Sequence, residues 1–309
     1  MPSASFPAFA KINLRLHVLG ARPDGYHELR TVFQAISLRD TLELEIQRTP
    51  RIDLIIQGDR TLAAEGASNN LVYRALAAAR KELQLRHGVR ATLTKRIPVG
   101  RGLGGGSSDA ATALTGLAHL AKKNIAPHRL IEIGSSLGAD VPFFLFGGRA
   151  LGIGRGDEIY PLPDGVRQTV LVVSPRDIAV RTADAYGWLR SGLTKSGAAS
   201  TLSSFCALCW SSQESGTWND FEAAVFPRHS RLRNIKRNLL RAGAAEASLA
   251  GSGSAVFALF RSPAQARRAA QAFPSDQTFI CSTLSRGEYC RAQCGRGSAG
   301  TRSRSRRQI

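Results

Sequence analysis

Residues 98 to 108 read P-V-G-R-G-L-G-G-G-S-S, with glycine at 100, 102, 104, 105 and 106, directly before a stretch in which Ala110, Leu114, Leu117 and Ala121 recur at helical spacing. No other segment limits the fold so tightly. Five glycines in seven positions leave several backbone N–H groups free to converge on one point, and a helix N-terminus adds about half a positive charge there. That combination is a phosphate cradle. Ser107 or Ser108 is expected to cap the helix, with Asp109 in its first turn. A flexible turn explains one or two glycines, but not five beside paired serines. The Walker pattern fails because no Lys precedes Ser107, and nothing that follows requires the ribose-binding acid of a dinucleotide loop.

The strand-like stretch 89 to 95 leads into this loop, so the local unit is strand, glycine loop, helix. Apolar and polar residues alternate over 9 to 18 and 41 to 46, as in strands with one buried face. Over 70 to 86, Val72, Leu76, Ala79 and Leu83 predict one face of a helix. Strands are expected at 169 to 174 and 255 to 260, and helices at 229 to 242 and 263 to 273. The class is α+β. A chain of 309 residues is about twice the ~150-residue prior for one domain. The expected boundaries are an N-terminal domain over 1–162, a C-terminal domain over 163–289 and a disordered basic tail over 290–309. The Ser/Gly-rich stretch 191 to 217 reads as a long loop.

Two more glycine clusters stand out. G-I-G-R-G-D at 152 to 157 reads as a hairpin turn. A-G-S-G-S-A-V-F at 250 to 257 enters a strand, and its small residues predict close backbone approach to a ligand or to the first loop.

The formal net charge of +19 points toward polyanions, yet the last 20 residues hold six arginines and no acid, so much of the excess is a tail. No apolar run approaches the ~18 to 20 residues of a membrane-spanning helix. Five cysteines are too few for a disulfide framework, and the N-terminus lacks a secretory pattern, so a cytoplasmic protein is expected.

A-K-I-N-L at 10 to 14, the glycine loop through Ala111, and L-A-G-S-G-S-A-V-F at 249 to 257 resemble the three ordered motifs of the galactokinase, homoserine, mevalonate and phosphomevalonate (GHMP) kinase superfamily. The segments A-K-I-N-L-R-L (10 to 16), R-P-D-G-Y-H-E-L (22 to 29), G-A-D-V-P-F-F (138 to 144) and N-D-F-E (219 to 222) are similar to its 4-diphosphocytidyl-2-C-methyl-D-erythritol kinase family. The likeness spans roughly residues 6 to 289, thin over 191 to 217 and absent from the tail.

The resemblance implies a two-domain GHMP-kinase-like fold and ATP-dependent phosphorylation, with Mg²⁺, of the 2-hydroxyl of a cytidyl-diphosphate alcohol in the non-mevalonate isoprenoid pathway. It further implies Asp140 as general base assisted by Lys11. ATP is expected at Asn70, Lys95, Pro98, Gly100, Arg101, Gly102, Leu103, Gly104, Gly105, Gly106, Ser107 and Ser108. Substrate is expected at Asn13, Tyr26, His27, Phe33, Thr182 and Tyr186, with no metal ligand assigned. Arg101 interrupts the glycines and either reaches a phosphate or points to water. On composition alone, Asp140 before Val-Pro reads as a turn cap and P-D-G-Y-H as a turn with a half-buried Tyr.

Three alternatives remain at this level. Homoserine or mevalonate kinase shares the superfamily motifs. Nucleic-acid binding through the basic tail fits the charge, although no specific nucleic acid is expected because the tail lacks interleaved aromatics. A four-thiolate zinc site from Cys206, Cys209, Cys290 and Cys294 fits by number, although two of these lie in the low-complexity stretch.

Overall fold

The computed structural model describes residues 2–64, 69–190, 205, 216–293 and 296–297. Strands β1 (Ser3–Ala21) and β2 (His27–Gln47) form a long antiparallel hairpin. Both run well beyond the alternating segments, because mid-strand residues such as Ala8 to Ile12 and Thr31 to Ile36 are buried on both faces. The tip at residues 22–26 is a turn in which Gly25 takes φ 82 and Asp24 Oδ1 accepts from the Tyr26 N–H at 3.1 Å. The turn reading of P-D-G-Y-H holds, and it sets Tyr26 and His27 at the hairpin tip.

The chain continues through β3 (Ile52–Gln57), α1 (Arg60–Ala64), α2 (Leu71–Glu82), β4 (Gly88–Thr94), α3 (Gly105–Leu120), α4 (Pro127–Leu137), α5 (Val141–Phe146) and the hairpin β5 (Arg149–Gly154) with β6 (Glu158–Pro161). Ile153 pairs with Glu158, so G-I-G-R-G-D is the expected hairpin turn. Next come β7 (Thr169–Ser174), α6 (Thr182–Arg190), β8 (Trp218–Asn219), α7 (Phe221–Val225), α8 (Ser230–Arg241), β9 (Glu246–Leu249), β10 (Val256–Phe260), α9 (Pro263–Ala270), β11 (Gln277–Ser282), α10 (Arg286–Gln293) and β12 (Arg296–Gly297). Among the described residues one sheet runs β12-β1-β2-β4-β3, with β5, β6 and β8 attached, and a second runs β11-β7-β10-β9.

Three layers of core follow. Phe6, Leu42, Leu44 and Val89 of the first sheet pack under α2 and α3 through Leu76, Leu114 and Leu117. Between the sheets, Ala10, Ile12 and Ile36 meet Val170, Val172 and Phe257. On the far face of the second sheet, Leu171, Val173 and Val256 pack against Leu232, Ile235 and Leu239 of α8. Odd and even residues of β7 thus face two different cores, which is the period-2 rule at work.

The expected disordered tail begins too early. Cys290 to Gln293 finish α10, whose Tyr289 is 2% exposed in the first core and donates to Phe144 O at 2.7 Å, and Arg296–Gly297 pairs with Ala4–Ser5 of β1. An aromatic that anchors a helix in the core outweighs the local Arg/Gly/Ser composition. The rest of the tail, Cys206, Cys209 and Cys294, and most of the 191 to 217 stretch lie outside the described residues; Phe205 within it is buried with Val32, Leu151 and Leu162. Among the described residues no group of three or more His, Cys, Asp or Glu could hold a metal ion, and no helix is long and apolar enough to cross a membrane.

Candidate functional site

The glycine loop spans the gap from β4 to α3, and its glycines are needed for two separate reasons. Gly100, Gly102 and Gly104 hold φ of 67, 80 and 71, left-handed values that side chains resist. Gly102 also lies against the second glycine cluster, where a Cβ would sit 1.8 Å from Ala250 O. The approach of 250–257 to the first loop is therefore realised. Arg101 lines the cavity, and its Nη1 donates to Ser254 Oγ at 2.7 Å, while Ser254 donates to Ile178 O at 2.6 Å. The side chain ties one loop to the other.

Neither serine caps α3. The helix opens from Gly104, whose φ of 71 turns the chain directly into Gly105, and no side chain caps it. The Ser108 N–H bonds Gly104 O at 2.9 Å, so the amides of Gly105, Gly106 and Ser107 have no intrahelical acceptor. This corrects the expected cap in a direction that favours anion binding, since a serine cap would consume one of those donors. Ser107 lines the cavity, whereas Ser108 is fully buried and off its wall. Adjacent helix positions point about 100° apart, so only one of the paired serines can face the cradle. Asp109 lies beyond the first turn and is buried with Lys95.

Across the cradle, Lys11 Nζ lies 3.2 Å from Asp140 Oδ2. Lys11 rises from the doubly buried middle of β1, and its own N–H bonds Leu103 O at 3.0 Å, which fixes the glycine loop beside it. Asp140 occupies the N-cap position of α5 but makes no side-chain cap hydrogen bond. The cap reading of its sequence context therefore fails, and the carboxylate is spent on Lys11. Lys11 Nζ also donates to Asn13 Oδ1 at 2.9 Å, and Asn13 Nδ2 donates to Thr31 Oγ1 at 2.8 Å. Asn13 lines the cavity, yet both ends of its amide serve to orient Lys11. Phe33, 1% exposed, lies beneath the ammonium with its centroid 5.3 Å away.

One cavity of about 890 Å³ takes in the cradle, the Lys11–Asp140 pair and an aromatic end. There His27 stacks on Tyr186 at 4.4 Å and Tyr186 meets Phe221 edge-on at 4.8 Å. Burial, and after it the charge of Asp140, push the Tyr186 phenol up, so it stays a neutral hydrogen-bonding group. Tyr26 is half exposed, and the guanidinium of Arg155, from the β5–β6 turn, lies 4.8 Å from its ring centroid. Thr182 Oγ1 is 3.0 Å from Ser252 Oγ, joining α6 to the second glycine loop.

At the opposite end, Pro98 and Asn70 line the cavity, and Asn70 Oδ1 caps α2 by accepting from the Val72 N–H at 2.8 Å. Lys95, expected beside a nucleotide base, reaches the cavity wall but is held by Asp40 at 2.5 Å and Asp109 at 2.7 Å. The sequence reading missed Asp40, Ser252, Ser254 and Asn219. Asn219 Nδ2 donates to Leu249 O and Gly251 O, both at 2.8 Å, and fastens the second glycine loop. Its place in N-D-F-E was the available signal; Asp40 sits in an ordinary strand pattern and gave none.

A glycine cradle, a buried lysine–aspartate pair and an aromatic recess on this two-sheet frame define a small-molecule kinase. The models for the GHMP kinases N terminal domain and the GHMP kinases C terminal match residues 70–148 and 189–277. The 4-diphosphocytidyl-2-C-methyl-D-erythritol kinase of Solibacter usitatus (strain Ellin6076) is 46% identical, covering 93% of this chain and 90% of that protein. The enzyme of the same name from Chlorobium chlorochromatii (strain CaD3) is 40% identical over 87% of this chain and 92% of its own. A crystal structure of 4-(cytidine 5'-diphospho)-2C-methyl-D-erythritol kinase superposes with a TM-score of 0.76 at 34% identity, covering 90% of this chain and 98% of that one. A mevalonate kinase structure shares the fold alone, at a TM-score of 0.64 and 14% identity. The chain belongs to the GHMP kinases and, within them, to the 4-diphosphocytidyl-2-C-methyl-D-erythritol kinase family.

Proposed function

We propose that this chain transfers the γ-phosphoryl group of ATP to the 2-hydroxyl of 4-diphosphocytidyl-2-C-methyl-D-erythritol, in the non-mevalonate route to isoprenoids. The observation that carries the reading is the Lys11–Asp140 pair, 3.2 Å apart, in one cavity with the glycine cradle and the aromatic recess. A phosphate and a reacting hydroxyl can meet only where donors for one adjoin a base for the other.

In this reading the amides of Gly105, Gly106 and Ser107 hold the phosphates. Asp140 accepts the hydroxyl proton as the oxygen attacks the γ-phosphorus and the bond to the bridging oxygen of ADP breaks. Lys11, oriented by Asn13 and Thr31, stabilises the negative charge that develops between them. Mg²⁺, carried on the nucleotide phosphates and water, supplies further charge neutralisation. Tyr26, His27 and Tyr186 receive the pyrimidine, offering ring faces for stacking and an imidazole for its edge. Thr182 adjoins the alcohol, and Asn70 and Lys95 flank the adenine. Residues 1–162 form the ATP-binding and catalytic domain, and 163–289 the substrate-side domain. The setting in this reading is the reducing cytoplasm, since five cysteines are too few for a disulfide framework.

Phosphorus NMR of the reaction with ATP and Mg²⁺ tests the transfer. The expected result is one new phosphomonoester on the cytidyl substrate for each ADP formed. ADP accompanied only by inorganic phosphate would contradict it.

A further inference from the structure

Beneath the glycine loop, three buried charges meet where two would balance. Asp40 of β2 is fully buried, and its Oδ2 lies 2.5 Å from Lys95 Nζ. Its Oδ1 accepts from the Arg96 N–H and, at 2.8 Å, from the Ile97 N–H. Asp109, from the first half of α3, meets the same ammonium at 2.7 Å. Lys95 and Ile97 are also the residues on which the start of α3 rests, since a Cβ on Gly105 would lie 3.3 Å from Lys95 Nζ and 3.1 Å from Ile97 Cγ2. One ammonium therefore links β2, the entry to the loop and the helix that closes it.

A buried ion pair is weak evidence of a stability role, because desolvation consumes most of its Coulombic gain. Two carboxylates on one cation are less favourable still. The arrangement does have a use for a loop with five glycines, whose freedom would otherwise have to be given up when a ligand binds. We propose that Asp40 and Asp109 are positioning residues for the nucleotide, holding Lys95 and the Arg96–Ile97 backbone so that the glycine loop keeps its receiving shape before ATP arrives. This deepens the ATP reading above and rests on it.

The charge balance gives the proposal a distinctive signature. Lys95 and Asp40 are the charged groups that face Asp109 among the described residues, while the neighbouring α2 turns Val72, Ala75 and Leu76 into this core. Burial, partly offset by Lys95 and reinforced by Asp40, pushes the Asp109 carboxyl up to about 7. Burial pulls Lys95 down, but Asp109 and Asp40 outweigh it and the ammonium stays charged. Asp109 therefore gains its negative charge under the phosphate site only as pH rises, so ATP binding is expected to weaken in that direction.

The test is calorimetric binding of ATP with Mg²⁺ to the full chain and to Asp40→Asn and Asp109→Asn at pH 6 and pH 8, with melting curves and steady-state kinetics alongside. Asp40→Asn is expected to weaken ATP about tenfold and raise its KM, with kcat at saturation within about twofold, a split that loss of folded protein would not give. The wild type is expected to lose about three- to tenfold more affinity between the two pH values than Asp109→Asn does, the nucleotide's own titration being common to both. If Asp40→Asn does not fold, Asp109→Asn decides alone. Wild-type affinity and the same pH dependence in the folded variants would overturn the proposal. A wild type that binds no ATP would instead overturn the nucleotide reading and the proposal with it.

Discussion

Asp140→Asn is expected to lower kcat by about 10²- to 10⁴-fold while leaving ATP affinity and Tm close to wild type. Asparagine has the same shape and can still accept from Lys11, but it cannot take the substrate proton. Lys11 keeps its hydrogen bond to Asn13, and the Asp140 side chain is 32% exposed, so solvent moderates the loss of the ion pair. Because Asp140 makes no cap bond, the start of α5 loses nothing. A kcat near wild type would remove Asp140 as the base, and a collapse of Tm would make its role structural.

Gly102→Ala should be the most damaging single methyl in the cradle. Alanine at φ 80 costs roughly 1–2 kcal/mol, and its Cβ would stand 1.8 Å from Ala250 O, a backbone atom with no rotamer to yield. Together these are expected to cost about 3 kcal/mol or more and to separate the two glycine loops, with ATP affinity falling accordingly. Gly100→Ala is the control: its φ of 67 carries the same strain, but nothing lies within 4 Å of the new Cβ. Its Tm should fall by far less. Thermal melts and ATP titrations of the two variants check this, and equal behaviour would mean that the contact with Ala250 does not matter.

The sequence made the cradle, its following helix and the contact between glycine loops legible because glycine density and small-residue runs report backbone demands directly. It understated β1 and β2, since alternation fades where both faces of a strand are buried, as at Lys11 and Thr31. It placed the α3 cap on a serine because capping rules assume a helix that needs its end satisfied, whereas this one leaves its amides free from Gly104 onward. Arg101 was undecidable, since its partner Ser254 is 153 residues away. Asp40 was invisible for the same reason, its partner Lys95 lying 55 residues on with no local pattern to join them. Asn13 was assigned to the substrate by resemblance, and only the fold discloses that its amide also helps to hold Lys11.

ATP consumption by the purified chain with Mg²⁺, offered 4-diphosphocytidyl-2-C-methyl-D-erythritol, homoserine and mevalonate in parallel, tests the phosphoryl transfer most directly. Turnover of the cytidyl substrate alone is expected. Turnover of homoserine or mevalonate in its place, or of none of the three, would contradict it.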